Sequence, residues 1–258
     1  METFLPGFVR YRIAFYALIL FCGGGRSAFA AELVIAINDA PPYRIVIDTG
    51  REPEFSGIYV EVLKEAASRA GHSLRFDVVP FRRALYLMEE GGADIMLGPN
   101  RTADREKFMY FFDAPLPDEP KAIYQQGLSR DIRQVEELVG QYVGVLRGAS
   151  YPHALAFEDG IQWVEAADYL TLFRMLNQRH LDAVIVPELL AADLLAGKKL
   201  AVRKASLVLQ GEPSFIALSR KSVFFLDRDY RSLEQELIKM RDDGTFGEIY
   251  HRYAKPKL

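Results

Sequence analysis

The feature that most constrains this chain is an alternation of short apolar runs with longer amphipathic segments that end in glycine. Residues 33–37 (Leu-Val-Ile-Ala-Ile) form an apolar run closed by Asn38 and Asp39, the pattern of a buried strand. Residues 57–70 place Tyr59, Val62, Leu63 and Ala66 on one helical face and stop at Gly71. Residues 74–79 alternate as a strand, Pro80 opens a second helix that ends at Gly91 and Gly92, and residues 94–97 are a third strand. This β-α-β-α-β order predicts a parallel sheet with helices on its faces, because each parallel return needs a crossover that covers the sheet.

A second unit of the same type follows. Residues 132–138 read as a helix ended by Gly140, residues 143–146 as a strand, and Arg147-Gly148-Ala149-Ser150 as a turn into a helix. Residues 169–178 carry Leu170, Leu172, Phe173 and Leu176 at helical spacing, and the strand 181–186 is halted by Pro187. Residues 207–210 and 214–218 are short extended runs, 225–242 is a helix, and a final helix follows Gly244. Ala40-Pro41-Pro42-Tyr43 reads as a loop that holds an aromatic in an extended segment. Two such units without a low-complexity linker predict two lobes around a cleft, a favoured place for small-molecule pockets. The Pro-rich stretch 114–120 is expected to carry the chain out of lobe one, and Gly211-Glu212-Pro213 to carry it back. Lobe one is then 31–117 with 217–258, and lobe two is 118–216 with the two hinge crossings.

Residues 1–30 stand outside this pattern. Arg10 and Arg12 precede a ten-residue apolar run, 13–22, and Ala28-Phe29-Ala30 puts small residues at both cleavage-defining positions. This is the pattern of a secretory signal peptide cut after Ala30, and the run is too short to span a bilayer. Removing residues 1–30 takes away three Arg and one Glu, so the net charge goes from −3 to −5. The only cysteine, Cys22, leaves with them, and with it any disulfide or thiolate chemistry. The mild acidity and the lack of a basic stripe argue against a nucleic-acid partner. The four His (His72, His153, His180, His251) are scattered without ligand spacing, so no metal site is expected. No Gly-rich phosphate loop and no G-x-S-x-G nucleophile turn is present, and no cofactor is expected.

The stretch 96–105 (Met-Leu-Gly-Pro-Asn-Arg-Thr-Ala-Asp-Arg) empties the third strand into a loop with Asn, Thr and Arg. Ligands of open α/β sheets bind outside the carboxyl ends of the strands, and an Arg fork matches a carboxylate. From spacing alone Arg105 reads equally as a carboxylate binder or as a surface residue paired with Asp104 or Glu106.

Five motifs, in order, resemble the extracellular solute-binding proteins of family 3, the polar-amino-acid receptors of ABC importers. Ser56-Gly57-Ile58-Tyr59-Val60-Glu61-Val62-Leu63 is similar to that family's first helix start, and Gly92-Ala93-Asp94-Ile95 to its entry into the third strand. Thr102-x-x-Arg105 with Phe112-Asp113-Ala114-Pro115 resembles its "T-x-x-R … F-S-x-P" signature, and residues 143–150 its strand and turn in the second lobe. Residues 243–250 resemble its C-terminal ending. Residues 80–84 and Arg101-Thr102 are similar to a divergent branch. The resemblance implies an α/β, two-lobe periplasmic-binding-protein-like fold of type II, each lobe a mostly parallel sheet flanked by helices. It implies a monomeric periplasmic receptor that closes on an amino acid or related small carboxylate and docks on the membrane permease of an ABC transporter.

Carried over residue by residue, the resemblance gives Arg105 the ligand carboxylate, and Gly98 and Asn100 a backbone and a side-chain contact. Tyr43 becomes an aromatic cover and Phe81 a second wall. Ser150 is expected to cap the helix after Gly148, whose N-terminus would face the carboxylate from the opposite lobe, with Arg147 adding charge. One departure stands out. Where many members place an Asp for the ligand ammonium, this chain has Pro187, with Glu188 next. Either Glu188 substitutes, or the ammonium has no obvious partner and the ligand is not an ordinary α-amino acid. Arg101, at a position often apolar, either points to solvent or adds a second cation. Two rival functions remain: a periplasmic enzyme similar to cyclohexadienyl dehydratases, for which Glu188 is the one candidate acid, and a ligand sensor that acts through a separate partner.

Overall fold

The computed structural model describes residues 32–116, 120–151, 155 and 159–254. The chain begins as β1 (Glu32–Ile37), a small antiparallel hairpin of β2 (Ile45–Ile47) and β3 (Glu54–Ser56), α1 (Ile58–Ala70), β4 (Ser73–Val78), α2 (Phe81–Glu90) and β5 (Ile95–Asn100). β1 pairs in parallel with β4 on one side and β5 on the other, with Leu33 opposite Leu74 and Ile35 opposite Ile95. The chain steps outward to β4 and back across to β5. Right-handed crossovers therefore place α1 and α2 on opposite faces of the sheet. α3 (Ala103–Glu106) and β6 (Met109–Phe111) follow.

The second sheet comprises β7 (Lys121–Gln126), β8 (Tyr142–Leu146), β9 (Gln162–Ala166), β10 (Ala183–Pro187) and β11 (Val202–Leu209), in the order β11-β7-β10-β8-β9. β8, β9 and β10 are parallel and β7 is antiparallel to both of its neighbours. α4 (Tyr169–Asn177) and α5 (Glu188–Leu195) belong to this lobe. Asp168 caps α4, its carboxylate accepting from Thr171 N at 2.7 Å.

The chain is back in the first sheet at β12 (Ser214–Ser219), which lies antiparallel between β5 and β6 and gives the order β4-β1-β5-β12-β6. Ser214 stands three residues before the boundary read from the sequence. The two crossings run side by side: Leu116 N donates to Ser214 O at 2.8 Å. α6 (Val223–Leu226), α7 (Tyr230–Asp242) and α8 (Thr245–Ala254) complete the first lobe, with α7 and α8 packed on α1.

Three expectations are corrected. Residues 132–138 are not a helix but one 3₁₀ turn, Val135–Leu138. The backbone before it is committed elsewhere: Ile132 N donates to Gln125 Oε1 at 2.9 Å, and Ile132 O accepts from Leu207 N at 3.0 Å. Residues 225–242 are two helices, broken where Arg228 adopts φ 62°. Tyr43 lies in a tight turn rather than an extended segment. There Ala40 N donates to Arg44 O at 2.7 Å and Arg44 N to Ala40 O at 3.0 Å.

Candidate functional site

The turn after β1 reaches the site first. Its Pro41–Pro42 peptide is cis. The turn docks on the start of α1: Ile58 N donates to Pro42 O at 3.0 Å and Tyr59 N to Tyr43 O at 2.9 Å. Two of the N–H groups that a helix start leaves unpaired are thus satisfied by the turn itself. Tyr43 packs against Tyr59 with ring centroids 5.0 Å apart. Arg44 turns inward, 6% exposed, with its Nη1 donating to Leu97 O at 3.1 Å and its guanidinium 5.8 Å from the Tyr59 ring. This placement requires glycine at 98. A Cβ there would meet Arg44 Nη1 at 2.2 Å and the Tyr59 ring at 2.9 Å, and the residue sits at φ 80°.

β5 supplies the second group. Thr102 caps α3, its Oγ1 accepting from Arg105 N at 3.3 Å, and so sets the direction of Arg105. Arg105 is 7% exposed. Its Nη1 donates to Asn100 O at 2.8 Å and its Nη2 to Gly148 O of the other lobe at 2.9 Å, with the guanidinium 5.9 Å from the Phe81 ring. The surface alternative does not hold, because Asp104 pairs with Lys107 and Glu106 with Arg101. Desolvation lowers the Arg105 pKa to about 10, with the Glu212 carboxylate opposing, so the group stays charged at neutral pH. Asn100 ties three segments together. Its Nδ2 donates to Glu212 O and Pro213 O at 3.1 and 3.2 Å, and its Oδ1 accepts from Ser150 Oγ at 3.0 Å.

Tyr43, Arg44, Phe81, Gly98, Asn100 and Ser150 surround a central cavity of about 30 Å³, completed on the lobe-two side by Tyr151, Tyr169 and Pro187. A larger groove of about 640 Å³ lies beside it, lined by Arg105, Arg147, Ser150 and the start of α2. The groove is bigger, but Arg82, Arg83 and Glu89 on its walls are exposed. The central cavity is where buried polar and aromatic groups converge, so it is the better candidate. It holds no more than about two waters, and a ligand of several heavy atoms enters only if the lobes part.

The profile of the bacterial extracellular solute-binding proteins, family 3, matches residues 33–256. The chain belongs to this family.

Solved structures agree on the fold of this solute-binding protein. An ancestral arginine-binding protein bound to arginine superposes with a TM-score of 0.74 at 23% identity, covering 88% of this chain and 99% of that one. An amino-acid ABC transporter substrate-binding protein from Streptococcus pneumoniae, bound to L-arginine, gives 0.73 at 18%, covering 87% and 94%. A histidine kinase sensor domain with similarity to periplasmic binding proteins gives 0.71 at 18%, covering 86% and 96%. No curated protein matches the chain. Among the described residues no helix is long and apolar enough to cross a membrane, and no group of three or more His, Cys, Asp or Glu is placed to hold a metal ion.

Of the residues singled out from the sequence, Tyr43, Phe81, Gly98, Asn100 and Ser150 meet at the central cavity of the solute-binding protein, and Arg105 lies against Phe81 and Asn100. Two lie elsewhere. Arg147 is half exposed on the outer groove, 3.4 Å from Glu165. Glu188 pairs with Lys204 and does not line the cavity, because its position as first residue of α5 directs it along the sheet towards β11. The helix expected after Ser150 falls largely outside the described residues, and the Ser150 hydroxyl is used across the cleft on Asn100. Arg101 takes the solvent side with Glu106. The second cation of the site is Arg44, which the sequence reading missed. The one available signal was a charged residue directly after Pro-Pro-Tyr at the carboxyl end of a strand.

Ser150→Ala is expected to loosen closure. The hydroxyl donates to Asn100 Oδ1 at 3.0 Å and accepts a long bond from Arg105 Nη1 at 3.5 Å; losing even the first, worth about 1 kcal/mol, shifts the closed-to-open ratio about fivefold. Small-angle scattering of the ligand-free variant should then give a larger radius of gyration than wild type. Identical profiles would show that this contact does not hold the lobes.

Proposed function

We propose that this protein is a periplasmic receptor, exported by cleavage after Ala30, that closes on a small carboxylate-bearing solute and delivers it to the permease of an ABC importer. The observation that carries the reading is Arg105: a buried guanidinium at the carboxyl end of β5 that contacts both lobes. A carboxylate bound there gains charge-assisted hydrogen bonds in a site shielded from water. It gains them fully only when both lobes are in place, and that difference in contact free energy drives closure. Two of the similar solved structures hold arginine, a ligand that carries a carboxylate, which supports this reading. The enzyme reading needs an acid in the cleft, and Glu188, its candidate, is engaged by Lys204 outside the cavity.

A thermal-shift screen of amino acids, dicarboxylates and uncharged sugars tests this. A true ligand at 100 times its dissociation constant stabilises by about 2.7 kcal/mol. Stabilisation by a carboxylate and uptake of the same compound through a reconstituted permease are expected. Stabilisation by neutral sugars alone would sink the carboxylate reading. Binding without uptake, but with control of a kinase partner, would favour a sensor.

A further inference from the structure

The cleft holds more positive charge than one carboxylate needs. Arg44 and Arg105 are both under 8% exposed. Arg105 lines the outer groove and lies directly behind the wall of the central cavity, on Phe81, Asn100 and Ser150, and Arg44 lines the central cavity itself. No Asp or Glu is among the described residues that line it. Arg44 has no carboxylate within ion-pair distance among the described residues, and its buried Nε has no hydrogen-bond partner. Asp39, the acid that acts on it from farther off, is held by Val46 N at 3.0 Å. A buried cation left in this way is costly unless an anion joins it. The two guanidiniums hang on separate carbonyls of one strand, Leu97 O and Asn100 O, so they offer two acid-binding points rather than one merged fork.

We propose that Arg44 and Arg105 bind the two ends of a dianionic ligand, so that this receptor selects a dicarboxylate over a zwitterionic or cationic amino acid. The proposal rests on the carboxylate-binding reading above and adds the second acid group. An ammonium placed in the central cavity would face only neutral oxygens and would lie beside buried cations. That arrangement rejects positive charge. The aromatic walls, Tyr43 and Phe81, suit the methylene chain between two acid groups.

Calorimetry with the full exported chain tests it. The probes are succinate, glutarate and adipate, the monocarboxylates butyrate and valerate, and L-arginine. Wild type is expected to bind at least one dicarboxylate about 30-fold or more tighter than the monocarboxylate of similar length and than L-arginine. Arg44→Met should weaken the dicarboxylate far more than the monocarboxylate, so that the roughly 30-fold preference falls to within about threefold. Arg44→Lys, which keeps the charge, should retain part of the preference. If Arg44→Met fails to fold, the wild-type ranking and the lysine variant still decide. The proposal is overturned if L-arginine binds as tightly as every dicarboxylate. It is equally overturned if Arg44→Met weakens both carboxylate classes alike. The broader reading fails separately, if no carboxylate binds or if Arg105→Ala leaves all affinities unchanged.

Discussion

Arg105→Ala is expected to remove carboxylate binding, a loss on the order of 2–5 kcal/mol, while the protein stays folded. The size follows from burial. A guanidinium at 7% exposure meets its ligand where water competes poorly, so its truncation leaves the carboxylate desolvated and unpaired. The fold should tolerate the change. The carbonyls of Asn100 and Gly148 lose a donor, but the shortened side chain opens them to the adjoining outer groove, from which water can reach them when no ligand is bound. Arg105→Lys should recover only part of the affinity, because a point charge cannot offer two parallel N–H bonds. Calorimetry against the best carboxylate found by screening decides this. Affinity retained within about threefold, a difference below 1 kcal/mol, would make Arg105 a fastener between lobes rather than a ligand contact.

The fold was legible wherever local patterns act alone. β1, α1, β4, α2 and β5 follow from apolar period and glycine stops, because each buries one face against its sequence neighbours. Residues 132–138 misled because their helical pattern competes with Gln125, which takes the Ile132 N–H. A nonlocal hydrogen bond of this kind leaves no trace in a short window. The site divides in the same way. Arg105 was legible through its Thr102 cap, three residues away, and Asn100 through the same strand end. Arg44 was not, because its carbonyl partner is 53 residues distant, and its space exists only because residue 98 has no side chain. Glu188 failed for the opposite reason. It stands next to the right position in sequence, but as the first residue of α5 it reaches past β7 to Lys204 on β11, outside the cavity.

Gly57→Ala is expected to destabilise the protein by on the order of 3–5 kcal/mol and to weaken ligand binding with it. Gly57 has φ 108° and ψ 163°, a backbone region closed to residues with a Cβ. An added Cβ would stand 2.7 Å from Tyr43 O and 2.8 Å from Pro42 O, and these are backbone atoms with no rotamer to escape into. They are also the acceptors for Tyr59 N and Ile58 N. Relieving the clash means moving the 40–44 turn off the start of α1 and losing about 1 kcal/mol for each of the two hydrogen bonds. That turn carries Tyr43 and Arg44 into the cavity. The residue that allows α1 to begin thus also fixes two walls of the site. Urea unfolding should show a lower midpoint with an unchanged slope, the sign of altered stability at constant exposed surface. A loss below about 1 kcal/mol, no more than an ordinary helix-start substitution, would mean that the turn can slide without harm. Site and helix start would then be independent of each other.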